Sequence, residues 1–193
     1  MSTAMKRLFS VLFAVLLSLS AFAQAKSQHL TFVGVPIDGT LDHFVKELVA
    51  KGFITTSTRD DRTATLSGDF AGYRNCYVSI STLRSRDLVN KVQVIFPRYE
   101  SWALLEKNYF KLKESLSVKY GEPADSVEGF DVQVSSDFEK LYAVSEGHCE
   151  YKSTYQTKLG DVVLRIRSSC QISLIYNDKV NTQLVEAAAL ADL

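Results

Sequence analysis

The sequence is short of proline, histidine and tryptophan, with three, three and one, and its 22 basic residues are matched by 22 acidic ones. Scarce proline and the lack of any low-complexity run exclude a long linker. Balanced charge leaves no basic excess for nucleic acid and no polybasic stretch for lipid headgroups. His29, His43 and His148 lie far apart, with no HxxxH, HExxH or CxxC spacing, so no zinc motif is written in one dimension. No GxSxG elbow occurs. A phosphate loop is missing too: Gly68-Asp69-Phe70-Ala71-Gly72 lacks the spacing and the following helix, and reads as a tight strand connection. Nothing implies a cofactor. Beyond residue 23 no apolar run approaches the length of a membrane span.

What is present begins with an address. Lys6 and Arg7, the apolar stretch from Leu8 to Ser20, and Ala21-Phe22-Ala23 make up an export signal over residues 1–23 with a small-residue cleavage site. Cleavage before Gln24 leaves 170 residues, 20 of them basic and 22 acidic, enough for one globular unit over 24–193. No cysteine follows the site, so a lipid anchor is not expected, and the location is periplasmic or secreted.

The mature chain then reads as helix followed by strands, twice. A short strand at 29–35 ends at Pro36, and Thr40 caps a helix whose inward face is Leu41, Phe44, Val45, Leu48 and Val49, stopped at Gly52. Strand-like runs follow at 53–58, 63–70, 73–82 and 88–96, and Cys76 alternates with Val78 and Ile80 as a core thiol. A longer helix carries Trp102, Leu105, Tyr109, Leu112 and Leu116 on one stripe and stops at Gly121 and Pro123. Further strands are expected at 126–134, 141–157 and 161–176, and Asn177 caps a last helix with Val180, Leu184, Ala187 and Ala188 inward. The expected fold class is α+β: antiparallel sheet with helices on one face, half-repeats at 37–97 and 98–193, and a closing C-terminal helix.

Residues 141–176 set the pairing of the second half. Odd positions Leu141, Ala143, Cys149, Tyr151 and Tyr155 alternate with a wetter even set, while after Gly160 the even positions Val162, Leu164, Ile166, Cys170, Ile172, Leu174 and Tyr176 are apolar. A two-residue turn at Leu159-Gly160 puts both apolar faces on one side and sets Cys149 opposite Cys170, at a site where Cα atoms are about 4.5 Å apart. A disulfide there would stabilise by roughly 3 kcal/mol. The alternative is two buried thiols.

Several phrases carry a resemblance. His29-Leu30-Thr31-Phe32, Pro36-Ile37-Asp38-Gly39-Thr40, Gly68-Asp69-Phe70-Ala71-Gly72, Lys119-Tyr120-Gly121-Glu122-Pro123 and Tyr176-Asn177-Asp178-Lys179-Val180-Asn181 resemble a family of uncharacterised exported proteins of Bacteroidetes. The resemblance spans nearly all of the mature chain and implies export, with no activity attached. In layout alone, a helix and four strands written twice is similar to β-lactamase inhibitor protein, and no inhibitory motif carries over.

Four residues are candidates for binding. Arg84 and Arg86 flank Ser85 at a turn tip, two guanidiniums able to grip a carboxylate, phosphate or sugar acid, or simply a solvated hairpin. Tyr142 and Arg167 sit on the wet sides of their runs. The expected function is an exported, non-enzymatic binding module for a protein or small ligand, using the sheet face that helices leave open. The alternative is an envelope hydrolase assembled in space from carboxylates such as Glu146, Glu150 and Asp161, with His148 and Glu146 the nearest thing to a zinc pair.

Overall fold

A computed structural model describes residues 29–60, 62–83 and 85–191. The expected export signal at residues 1–23 and the candidate Arg84 lie outside the described residues. The run at 29–35 is not one strand but a small hairpin, β1 (Thr31–Phe32) against β2 (Val35–Pro36). Val33 and Gly34, with φ of 45° and 80°, supply the two left-handed residues that a tight two-residue turn needs.

Helix α1 (Leu41–Ala50) begins where its cap dictates: Thr40 accepts from the His43 backbone N–H at 3.3 Å. Leu41, Phe44, Val45 and Leu48 are buried as expected, but Val49 faces outward. Four strands form a meander, β3 (Ile54–Arg59), β4 (Thr63–Phe70), β5 (Tyr73–Thr82) and β6 (Val89–Ile95). Their alternation buries Ala64, Leu66, Cys76, Val78, Ile80, Val92 and Val94 on one side. Helix α2 (Trp102–Tyr120) buries its whole expected stripe and ends at Gly121.

The second half departs from the expected strands. After β7 (Asp125–Phe130) comes helix α3 (Asp137–Glu146), so the strand expected at 141–157 starts only at β8 (Cys149–Gln156). The cause is a capping box. Ser136 Oγ accepts from the Glu139 N–H at 3.2 Å while Glu139 Oε2 accepts from the N–H groups of Ser136 and Ser135 at 3.0 and 2.8 Å. Gly147, with φ of 87°, closes the helix. These bonds hold the Glu139 carboxyl down at about 2. Because that folded value is depressed, the cap is fully formed above the ordinary glutamate range and is lost as pH falls through about 2. An NMR titration should find Glu139 midway near there; a midpoint in the ordinary range above 4 would mean the box is not formed in solution.

The run expected at 161–176 is two strands, β9 (Gly160–Arg167) and β10 (Gln171–Asp178). Their register sets Ile166 opposite Ile172, Leu164 opposite Leu174 and Val162 opposite Tyr176. Even residues meet even residues, so the alternation passes through the turn without a break and conceals it. Cys170, with φ of 54°, takes the left-handed position of the turn.

The β8–β9 turn also differs. Gln156 pairs with Asp161 and the Thr157 N–H donates to the Gly160 carbonyl, leaving Lys158 and Leu159 as the turn and Gly160 in the strand. Both apolar faces still share a side, but the register is shifted by two. In addition β9 ends at Arg167, so Cys170 lies in the β9–β10 turn and not across the ladder from Cys149, and Cys76, Cys149 and Cys170 are all free thiols. The expected disulfide is absent for both reasons.

Helix α4 (Lys179–Ala191) is capped by Asp178, not Asn177: its Oδ1 accepts from Val180 and Asn181. Val180 is half-buried, Leu184 and Ala187 face outward, and Asn181 turns inward, donating to Asp38 Oδ1 and the Val89 carbonyl at 2.9 and 3.0 Å. The Ala188 side chain lies outside the described residues.

The eight strands β3 to β10 form one antiparallel sheet in the order β3-β4-β5-β6-β10-β9-β8-β7. Exchanging the two meanders leaves that order unchanged, with β6 and β10 paired at the centre and β3 and β7 at the edges. Phe44 and Leu48 of α1 and Leu105, Tyr109 and Leu112 of α2 join the strands' buried residues in one core. The helices thus cover one face of an α+β fold and leave the other open.

Candidate functional site

Strand parity decides what the open face presents. One continuous cross-sheet row runs Ile54, Ser67, Tyr77, Ile95, Ser173, Arg165, Lys152, Val127, from edge to edge. The row beside it runs Thr65, Ser79, Gln93, Ile175, Val163, Thr154, Asp125. The flanks of this face stand out, with Ile54 at 69% exposure on one edge and Val127 at 42% on the other, while central Ser173 is wholly buried and Ile175 is at 8%. The face is thus a shielded centre between protruding apolar flanks, a profile suited to contact with another surface.

Charge collects toward β8 and β9. Lys152 and Arg165 stand directly opposite each other, and Arg167 follows on the same side of β9. Lys152 reaches Asp125 at 3.6 Å; neither arginine has an ion pair among the described residues.

Gly129 lacks a side chain where β7 crosses Glu150, and this opens a notch of about 270 Å³ bounded by Val127, Asp131, His148 and Glu150. His148 Nδ1 lies 3.0 Å from Asp131 Oδ1, which fixes the ring. Cys149 also lines the notch, but burial first, then the neighbouring Cys170 and Glu106, push its thiol up to about 12. It is held as a protonated thiol, not a nucleophile. Cys76 is likewise pushed up, to about 11, mainly by burial.

A second polar cluster lies between α2 and the β7 edge. Lys113 Nζ donates to Ser126 Oγ at 2.9 Å and to Glu128; Ser126 donates to Glu128 at 3.0 Å, and Tyr109 OH lies 2.8 Å from Ser153 Oγ. Burial pushes the Glu128 carboxyl up, but the bonds from Lys113 and Ser126 outweigh it and hold it below its ordinary value. An ammonium bound to a carboxylate is a poor base, so this Lys–Ser pair ties helix to sheet. Removing the Tyr109 hydroxyl (Tyr109→Phe) is expected to cost about 1–2 kcal/mol, checked by urea unfolding.

The residues expected from sequence do not form one site. Arg167 is on the open face. Arg86 is at the β5–β6 turn, toward the other end of the strands, where Asp87 accepts from the Leu41 N–H at 3.0 Å. Tyr142 is on α3, in the helix layer, and 61% exposed. Of the carboxylates considered for hydrolysis, Glu146 ends α3, Glu150 borders the notch and Asp161 pairs with Lys179 Nζ at 2.7 Å. Among the described residues no three His, Cys, Asp or Glu side chains gather to hold a metal ion, and His148 is engaged by Asp131 instead of Glu146.

Lys152, Arg165 and Ser173 went unmarked in the sequence. Alternation puts the first two on the wet side, but only the true register makes them face each other.

Comparison with protein-family models, curated proteins and solved structures finds no match. The reading of function rests on this chain's own geometry.

Proposed function

We propose that this chain is an exported, non-enzymatic binding module that holds a protein partner on the open face of its sheet. The observation that carries the reading is that face: helices pack on the opposite side, while this one keeps an exposed Tyr77, apolar edges and arginines without ion pairs among the described residues. The export signal read at residues 1–23 supports an envelope or extracellular location.

A rival surface exists on α3, where Phe138 and Tyr142, one turn apart, are 78% and 61% exposed. It offers two rings, where the open face spans eight strands. The hydrolase alternative draws on the notch, where Asp131 orients His148, but lacks an activated nucleophile beside it.

Partner capture by the full chain, purified unreduced from its own exported compartment, separates these. Tyr77→Ala and Arg167→Glu should each weaken capture about tenfold with unfolding midpoints unchanged, and Tyr142→Ala should leave it intact. Loss on Tyr142→Ala with capture kept in the other two would assign the function to α3. Turnover of an ester or glycoside probe that disappears in His148→Ala would establish the hydrolase.

A further inference from the structure

We infer that the β8–β9 end of the open face is a docking patch for acidic side chains of a protein partner, an inference that rests on the open face being the docking surface. Lys152 and Arg165 are opposed in register on that face. Like charges placed so repel, and the isolated fold gains nothing from them. Arg167 lies two residues further along the same side of β9, about 7 Å away by strand geometry. Three cations thus share a patch two strands wide. Two acids border it: among the described residues Asp125 reaches Lys152, at 3.6 Å, and Glu150 forms no ion pair with either arginine.

The two guanidiniums have no acceptor among the described residues, and the Lys152 ammonium has only the 3.6 Å contact with Asp125, so the exposed end of the patch offers donors to an incoming acceptor. Carboxylates supply two acceptor oxygens and the opposite charge, and pair with guanidinium in a planar fork. The surroundings select a protein as the source. The same cross-sheet row carries Tyr77, Ile95 and Val127, apolar contacts that a free oxyanion would leave unused.

The test is fluorescence anisotropy with the full chain and a fluorescein-labelled deca-glutamate peptide. Binding is expected at low salt and should fall about tenfold or more between roughly 50 and 500 mM salt. Arg165→Glu or Lys152→Glu should weaken it about tenfold, and Arg165→Gln, which removes charge at an exposed position with little change in bulk, several-fold. Lys107→Glu on the outer side of α2 should leave it unchanged. No binding at low salt, or an equal loss in Lys107→Glu, overturns the inference. With the partner from the native compartment, capture lost in Tyr77→Ala but kept in Arg165→Glu would preserve the docking face and overturn its acidic chemistry. Capture kept in both would overturn the face as well.

Discussion

Gly160→Ala is expected to destabilise the protein by about 3–5 kcal/mol, a large fraction of the stability of an ordinary domain. Gly160 opens β9 at φ 155° and pairs with Asp178. A Cβ there would stand 2.0 Å from the Asn177 carbonyl oxygen and 2.7 Å from Leu30 Cδ1. The first of these is backbone, which cannot swing aside, so β9 and β10 must part at the point where β10 passes into α4. Gly72→Ala is the comparison. That residue also has positive φ, 82°, but nothing lies within 4 Å of the added methyl, so only the backbone penalty of about 1–2 kcal/mol applies. Urea unfolding of both variants measures the difference. Equal losses would mean that β10 does not press on Gly160 in solution.

The second large effect belongs to Asp178. Its carboxylate is wholly buried and collects four donors: the Leu30 N–H at 2.8 Å, His29 Nδ1 at 3.1 Å, and the N–H groups of Val180 and Asn181 at 3.0 and 3.4 Å. It therefore caps α4 and ties the N-terminal hairpin to the end of the sheet. Asp178→Ala strands these donors in a buried site and should cost about 3 kcal/mol. Asp178→Asn keeps one acceptor oxygen for the cap and should cost less. Hydrogen exchange gives the finer reading: amides of Leu30, Val180 and Asn181 should lose protection together in Asp178→Ala, with β4 and β5 unchanged. Loss confined to α4 would mean that the hairpin is held by its rings alone, chiefly Phe32 on Phe70 and Tyr176.

Both predictions depend on register, which is where the sequence was hardest to read. From Thr40 to Gly121 the elements were legible because each signal stood alone, whereas the hairpin at 31–36 was not. Thr40 and Gly52 bracket α1, Gly121 stops α2, and clean alternation marks β4 and β5. In the second half signals overlap. Residues 141–147 alternate like a strand, yet Ser136 and Glu139 form a capping box that wins them for α3. The β9–β10 turn keeps the parity of its strands and so leaves no mark in the pattern. Gly160 looks like a turn residue but is needed where β9 presses on Asn177, and this moves the turn to Lys158-Leu159. That shift, together with the β9–β10 turn that takes Cys170 out of the ladder, removed the expected disulfide. The same shift moves Lys152 from opposite Arg167, where a turn at Leu159-Gly160 would set it, to opposite Arg165. Arg167 was legible because parity alone puts it outward.

The open face as the binding surface is tested most directly by photocrosslinking in the native compartment. A benzophenone amino acid would replace Ser79, Gln93 or Thr154 on the open face and, in separate variants, Lys107, Phe138 or Tyr142 on the helix layer. Adducts of one mass from the open-face positions, with none from the helix positions, are the expected result. Adducts from Phe138 and Tyr142 with none from the sheet would place binding on α3 and contradict the account.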